Sequence, residues 1–321
     1  VIELMAQLDG DLLFLGVAGK IGPSLAHTAK RACTRAGVEK RVLGVSRFSN
    51  PQEKKLIESF GVETISGDFL DRSFLESLPR VKNVFFLAGM KFGAQENRSF
   101  TWAMNSYLPA LVADYFHQSR IVAYSTGCVY PLVPVQSGGS METDDPSPAG
   151  EYAQSCLGRE RMFEYGSRKH KNPAAIIRLN YAVEPRYGVL VDIGLKVYNN
   201  QPVDLTMGYF NAIWQGDANN RVIQSLDYAS SPPWITNLTG PETLSVRDVA
   251  LQFGNLMSRE VRFTGKEAPT ALLSNAEKIF GLLGKPEVPV SKVIEWTAQW
   301  IQDGKRLLDK PTHFEVRDGK Y

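Results

Sequence analysis

A chain of 321 residues, 43% hydrophobic and 22% charged, has room for one large α/β unit or two unequal domains. A net charge of +2 supplies no bulk field for nucleic acid or for an acidic membrane surface. Three cysteines (Cys33, Cys128, Cys156) without CxxC spacing and four scattered histidines (His27, His117, His170, His313) argue against a disulfide framework or a metal site, and for a reducing compartment.

Residues 1–10 show no secretory pattern, and apolar runs such as Val84–Met90 are far short of a membrane span, so a cytoplasmic location is expected. From there, strand and helix alternate with short connections, as in a parallel sheet covered on both faces. Asp11–Leu15 is an apolar run ending at glycine and predicts the first strand. Pro23–Ala36 predicts a helix, with Leu25, Ala29, Ala32, Cys33 and Ala36 on one face and Gly37 as its stop. Strands follow at Val42–Ser46, Glu63–Ser66 and Val84–Ala88, separated by helices at Gln52–Phe60 and Ser73–Leu78. A long helix is predicted over Phe100–Gln118, distorted near Pro109. Ile121–Ser125 and Ala174–Leu179 predict two more strands, with a polar loop at Pro131–Gly150 and a helix carrying Tyr152 between them.

Beyond Leu179 the alternation weakens, and turn-prone segments over Asn180–Ser231 suggest a smaller lobe. Trp234–Leu238 predicts a strand, Ser245 caps a helix reaching about Met257, and Glu287–Trp300 predicts a last helix before a polar tail. The expected organisation is a Rossmann-type doubly wound parallel sheet over residues 1–179. A lobe over 180–321 is expected to bind substrate, with 234–257 returning to the first domain.

Gly16, Gly19, Lys20, Ile21 and Gly22 lie in a GxxGxxG turn between the first strand and its helix. Glycine lets backbone approach a pyrophosphate, whose charge a helix N-terminus stabilises. At the end of the second strand, Ser46 and Arg47 stand where an acid would favour NAD, so the site leans toward NADP over NAD. Arg47 is read either as a partner of the extra phosphate or as a solvated surface residue. Asp68, with Phe69 after it, is placed either to reach the adenine end or to cap the following turn.

Four further motifs occur in order: Leu87-Ala88-Gly89-Met90-Lys91-Phe92-Gly93, Ser125-Thr126-Gly127-Cys128-Val129-Tyr130, Tyr152 with Glu160, and Arg178-Leu179-Asn180-Tyr181. With the glycine turn they closely resemble the extended short-chain dehydrogenase/reductase family, the group of nucleotide-sugar epimerases and dehydratases. The resemblance implies a Rossmann domain, a nicotinamide cofactor, hydride exchange with a small-molecule substrate, and a homodimer built on the helices at Phe100–Gln118 and Tyr152–Lys169. It further implies that Tyr152 handles the substrate proton and that Thr126 holds the substrate oxygen. Leu87, Ala88, Gly89 and Lys91 would border the cofactor, with Asn180 at the substrate diphosphate. Asn105 matches a buried polar helix residue near the active site. Tyr181 and Trp214 could stack on a substrate ring or belong to the core.

The pattern breaks four residues after Tyr152, where the family carries a lysine and this chain has Cys156. An ammonium about 4 Å from the phenol is worth roughly 4 kcal/mol at an effective dielectric near 20. Without it the tyrosine stays protonated at neutral pH, which suits proton donation to a carbonyl better than oxidation of an alcohol. Lys91 and Arg159 are the two cations that could substitute, and Lys91 is favoured. Phe210-Asn211-Ala212-Ile213-Trp214 lacks the arginine with which relatives grip a diphosphate, leaving Arg186 or Arg247 to serve if one is needed. The expected function is an NAD(P)-dependent oxidoreductase or epimerase-like enzyme on a small hydroxylated or sugar-derived substrate. The alternative is a cofactor-binding sensor or scaffold with impaired catalysis.

Overall fold

The computed structural model describes residues 1–91 and 93–320. Phe92 of the Leu87–Gly93 motif therefore lies outside the described residues. The chain divides into two compact units, each assembled from three separate passes. The first takes in Val1–Ser125, Gly150–Ile177 and Asn219–Ile235, and the second Thr126–Ala149, Arg178–Ala218 and Thr236–Tyr321.

The first unit is built on a parallel sheet of seven strands. These are β1 (Leu12–Leu15), β2 (Val42–Ser46), β3 (Glu63–Ser66), β4 (Asn83–Phe86), β5 (Arg120–Thr126), β6 (Ala174–Leu179) and β7 (Trp234–Leu238). Their order across the sheet is β7-β6-β5-β4-β1-β2-β3. The strands β1 and β4 are apolar and buried at every position but Asn83, as a sheet covered on both faces requires. Leu12 faces Val42 on one side and Asn83 on the other, which fixes the register of the sheet centre. Phe14 and Phe85 stack across that pair with ring centroids 4.6 Å apart.

Helices α1 (Ile2–Gln7), α2 (Gly22–Ala36), α3 (Pro51–Ser59) and α4 (Arg72–Ser77) belong to this unit. The first was not expected, because six residues are too few to display a helical period. Gly37 ends α2 with φ of 67°, the left-handed conformation glycine adopts without strain. The long helix predicted over Phe100–Gln118 is three pieces: α5 (Arg98–Trp102), a π-helical turn at Ala103–Tyr107, and α6 (Leu108–Tyr115). Pro109 has no N–H to offer the carbonyl of Asn105 and its ring crowds that carbonyl, so the distortion falls one turn ahead of the proline. The helix α7 (Gly150–His170) packs on this broken helix through small residues. A Cβ on Gly158 would stand 2.4 Å from Ser106 Oγ, and one on Gly166 2.6 Å from the Ala113 Cβ. Phe163 of α7 is buried edge-on against Phe86 at 5.1 Å.

The second unit has its own core, formed by Val189, Leu190 and Ile193 of α8 (Val189–Tyr198), Val249 and Phe253 of α10 (Val246–Met257), and Val293 and Ile294 of α12 (Val290–Gln302). Sequence reasoning read Asn180–Ser231 as mixed turns, but it holds α8 and α9 (Gln215–Gln224). A further helix, α11 (Glu277–Leu283), was also missed. The expected polar tail is not wholly solvated, since Thr312 and Phe314 are buried. Ser245 caps α10 as expected, its hydroxyl accepting from Asp248 N at 3.2 Å. Among the described residues no helix is long and apolar enough to cross a membrane.

Candidate cofactor and active site

The order of strands reverses between β1 and β4, the place where open α/β sheets bind ligands beyond the strand ends. Both turns leaving these strands are anchored there. Gly16 N donates to Val45 O at 2.8 Å, and Leu87 N donates to Leu15 O at 2.8 Å. Gly16 has φ of 91°, and a Cβ on it would stand 2.7 Å from Ala88 N. Gly22 packs the start of α2 against the turn, where a Cβ would lie 2.2 Å from Val17 O. At Gly19 a Cβ would meet only Gly16 O, at 3.3 Å. No side chain caps the N-terminus of α2 and no acid occupies its first turn. Two glycines shaping the turn and a third facing open space suit a dinucleotide pyrophosphate. Lys20 and Ile21, both half-buried, complete the turn.

The remaining expected cofactor residues are placed as follows. Ser46 ends β2 and its carbonyl accepts from Gly67 N at 3.1 Å, while Arg47 is exposed. Asp68 Oδ1 accepts from Leu70 N at 3.0 Å, so its carboxylate caps the turn, one of the two readings left open by the sequence. Phe69 is buried in the core of the first unit.

The residues around Tyr152 form a built junction within the first unit. Asn105, in the π-helical turn, is fully buried. Its Oδ1 accepts from Met90 N and from Arg159 Nη2, both at 2.8 Å. Its Nδ2 donates to Met90 O at 2.8 Å and to Ser155 Oγ at 3.0 Å. Ser155 Oγ in turn donates to Tyr152 O at 2.8 Å, and Ser106 Oγ to Ser155 O at 2.8 Å. One amide thus ties the strap Ala88–Lys91 to the helix that carries Tyr152. Lys91 Nζ lies 5.7 Å from the centroid of the Tyr152 ring, within reach of a cation–π contact. Cys156 is fully buried. Of the two cations considered as substitutes, Lys91 meets the tyrosine ring, whereas Arg159 Nη1 donates to Tyr124 O at 2.8 Å and its other arm holds Asn105. Nearby, Ser125 Oγ donates to the buried Glu160 carboxylate at 2.5 Å.

The expected substrate residues lie in the second unit. Thr126 Oγ1 accepts from Cys128 N at 3.1 Å, the local bond of a strand-end hydroxyl. Asn180 is buried and its Nδ2 donates to Leu272 O at 3.4 Å. Tyr181 meets Phe210 edge-on at 6.3 Å, and burial pushes its phenol pKa well up. Trp214 meets Trp296 edge-on at 5.9 Å. Tyr181 and Trp214 both pack against the unit's core. Arg186 pairs with Glu184 at 2.8 Å and Arg247 with Glu267 at 2.7 Å.

Sequence reasoning missed two groups. Ser155 and Arg159 gave no signal as parts of the junction, although a distortion foreseen near Pro109 marks where it sits. The second group is a buried network in which Tyr130 Oη accepts from Arg178 Nη1 at 2.6 Å and donates to Asn237 Oδ1 at 3.0 Å. Burial raises the Tyr130 pKa against the opposing pull of Arg178. Among the described residues no cluster of His, Cys, Asp and Glu could hold a metal ion.

No family model matches the sequence, and no curated protein matches it. Solved structures do match. The UDP-glucuronic acid 4-epimerase of Bacillus cereus, in complex with UDP-glucuronic acid and NAD, is 17% identical with a TM-score of 0.75, covering 91% of this chain and 99% of its own. The UDP-glucose 4-epimerase of Thermotoga maritima, with UDP-glucose, is 15% identical with a TM-score of 0.77, covering 92% and 99%. The dTDP-glucose 4,6-dehydratase of Bacillus anthracis, in complex with NAD, is 14% identical with a TM-score of 0.77, covering 91% and 96%. At such identities the likeness is one of fold, and the chain has the fold of the extended short-chain dehydrogenases/reductases that its motifs resemble.

Proposed function

We propose that the chain is an NAD(P)-dependent oxidoreductase or epimerase-like enzyme acting on a small hydroxylated or sugar-derived substrate. Lys91 beside the ring of Tyr152 is the observation that carries this reading. It supplies a cation at the tyrosine where the helix itself has the uncharged Cys156. The NAD-bound neighbours of like fold support a nicotinamide dinucleotide, and the exposed Arg47 is what favours NADP. Gly16, Gly19, Lys20, Ile21 and Gly22 hold the pyrophosphate. Ser46, Arg47, Asp68 and Phe69 border the adenosine, and Leu87, Ala88, Gly89 and Lys91 the nicotinamide ribose. A nicotinamide dinucleotide held by these residues would supply hydride exchange.

Tyr152 donates a proton to the reacting oxygen or takes it back. The charge of Lys91 stabilises the phenolate left behind, which lowers the cost of each transfer. Thr126 orients the reacting oxygen, with Asn180, Tyr181 and Trp214 toward the rest of the substrate. The three cysteines stand as thiols, which supports a reducing compartment such as the cytoplasm. Trp102 at the end of α5, Tyr107 in the π-helical turn and Tyr165 on α7 are exposed, which supports a homodimer through the broken helix and α7. A homodimer is expected by light scattering at micromolar concentration.

The test is turnover of sugars, nucleotide sugars, sugar acids and hydroxy acids, followed by cofactor fluorescence. Tyr152→Phe should abolish turnover, and Lys91→Met should reduce it beyond any loss in cofactor affinity. A verified turnover that survives Tyr152→Phe unchanged refutes the mechanism. Cofactor binding without turnover in any arm favours the sensor or scaffold instead.

A further inference from the structure

Arg159 is 6% exposed, and among the described residues its guanidinium donates only to neutral acceptors, Tyr124 O and Asn105 Oδ1. Its Nε has no hydrogen-bond partner. A buried cation with no carboxylate against it is expensive to keep and calls for a reason. The neighbouring strap supplies one. A Cβ on Gly89 would lie 2.3 Å from Arg159 Nη2 and 2.9 Å from Asn105 Oδ1, so the strap backbone rests directly on the guanidinium. Asn105 has one acceptor oxygen and one donor nitrogen, and both make two bonds at this junction. Arg159 fixes which way round that amide sits, because only the oxygen can face a guanidinium. That orientation then dictates how Met90, and Lys91 after it, are held.

The helix pattern fits the same account. Tyr152, Cys156 and Arg159 fall at i, i+4 and i+7 on one stripe of α7. A lysine at position 156 would bring a second buried cation within one turn of the guanidinium, and like charges at that spacing repel. The geometry points to Arg159 as the positioning residue of this site: acting through Asn105, it seats the Ala88–Lys91 strap so that the cation meeting Tyr152 comes from the strap and not from the helix. The inference rests on the function proposed above, in which Lys91 serves Tyr152.

The test is an ultraviolet phenolate titration of the full chain without cofactor. Each variant is compared with its own Tyr152→Phe partner, so that the difference reports Tyr152 alone. Glu151, next to Tyr152 on the helix, pairs with Arg98 of α5 at 3.8 Å, and both are common to every variant. Lys91→Met should raise the Tyr152 midpoint by about one pH unit. Arg159→Met should raise it by a comparable amount, the double variant by no more than either alone, and Arg159→Lys should recover most of the loss. Gly89→Ala, which presses a methyl onto the guanidinium from the strap side, should give the same upward shift and serves if Arg159→Met does not fold. A folded Arg159→Met or Gly89→Ala with an unmoved midpoint overturns the inference, as does a double variant whose shift is the sum of the two. If Lys91→Met itself leaves the midpoint in place, the role given to Lys91 in the proposed function fails, and this inference fails with it.

Discussion

Gly19→Ala and Gly22→Ala change the same turn by the same methyl group, three residues apart, and should have opposite consequences. At Gly22 the methyl would lie 2.2 Å from Val17 O and 2.6 Å from Val17 C. Ordinary contact begins near 3.4 Å, so α2 must retreat from the turn by about 1 Å, an overpacking that costs about 1–3 kcal/mol. Alanine's better helix propensity returns at most about 1 kcal/mol of that. At roughly 2–4 °C per kcal/mol, the melting temperature should fall by a few degrees. At Gly19 the methyl would meet Gly16 O at 3.3 Å and nothing else within 4 Å, and φ lies outside the left-handed region. Folding should therefore change by no more than about 0.5 kcal/mol. The methyl would instead stand where backbone approaches a pyrophosphate, and a loss of tenfold or more in dinucleotide affinity is expected, about 1.4 kcal/mol per factor of ten. Scanning calorimetry reads the first effect and titration calorimetry with NAD and NADP the second. Unchanged dinucleotide affinity in Gly19→Ala would remove the cofactor from this turn. An unchanged melting temperature in Gly22→Ala would refute the packing argument.

Cys156→Lys places an ammonium in a fully buried slot one turn from the Arg159 guanidinium; it should lower the melting temperature without improving oxidation at neutral pH, and a clear gain in oxidation would mean that Lys91 does not serve Tyr152. Burial, with the charge of Arg31 beside it, lowers the pKa of His27, whose ring stacks on Phe60 at 4.1 Å. Its stabilising contribution is therefore whole above about pH 6.5 and is lost as pH falls through the depressed value, so His27→Gln should flatten the fall in melting temperature between about pH 7 and 5. Burial raises the Asp192 pKa despite the bonds its carboxylate accepts from Thr312 N at 2.8 Å and Oγ1 at 2.6 Å. That contribution is present below about pH 4 and lost as pH rises through the raised value; Asp192→Asn keeps an acceptor for both bonds and should remove the loss, seen as a smaller decline in melting temperature from pH 4 to 7.

The sheet was legible because its signal is local. Runs such as Leu12–Leu15 and Val42–Ser46 sit between turn residues, and a buried parallel strand needs nothing more to declare itself. The second unit was harder for the opposite reasons. Val189–Tyr198 is apolar on nearly every side and carries β-branched residues, so it has no helical stripe to read, while Gln215–Gln224, which runs from the second unit into the first, has glycine as its second residue and is rich in polar residues. In the candidate site, the glycine turn stands out by residue type and spacing, and Tyr152 is singled out by the family resemblance. The junction could not, because Asn105, Ser155 and Arg159 meet only through tertiary packing, and the amide orientation that joins them leaves no periodicity in the sequence.

The three-pass construction of each unit bears on how the protein is made. The edge strand Trp234–Leu238 pairs beside Ala174–Leu179, yet more than fifty residues separate them along the chain, most of them assigned to the second unit. During synthesis from the N-terminus, β1 to β5 are available early, but the sheet stays open along Ala174–Leu179 until the ribosome has released the chain past residue 238. An unpaired strand edge with five apolar positions and an arginine that is buried in the finished fold waits exposed for that interval. The nascent chain is then most vulnerable to misassembly not at its start but at its middle, and a fragment cut at residue 179 carries that vulnerability permanently.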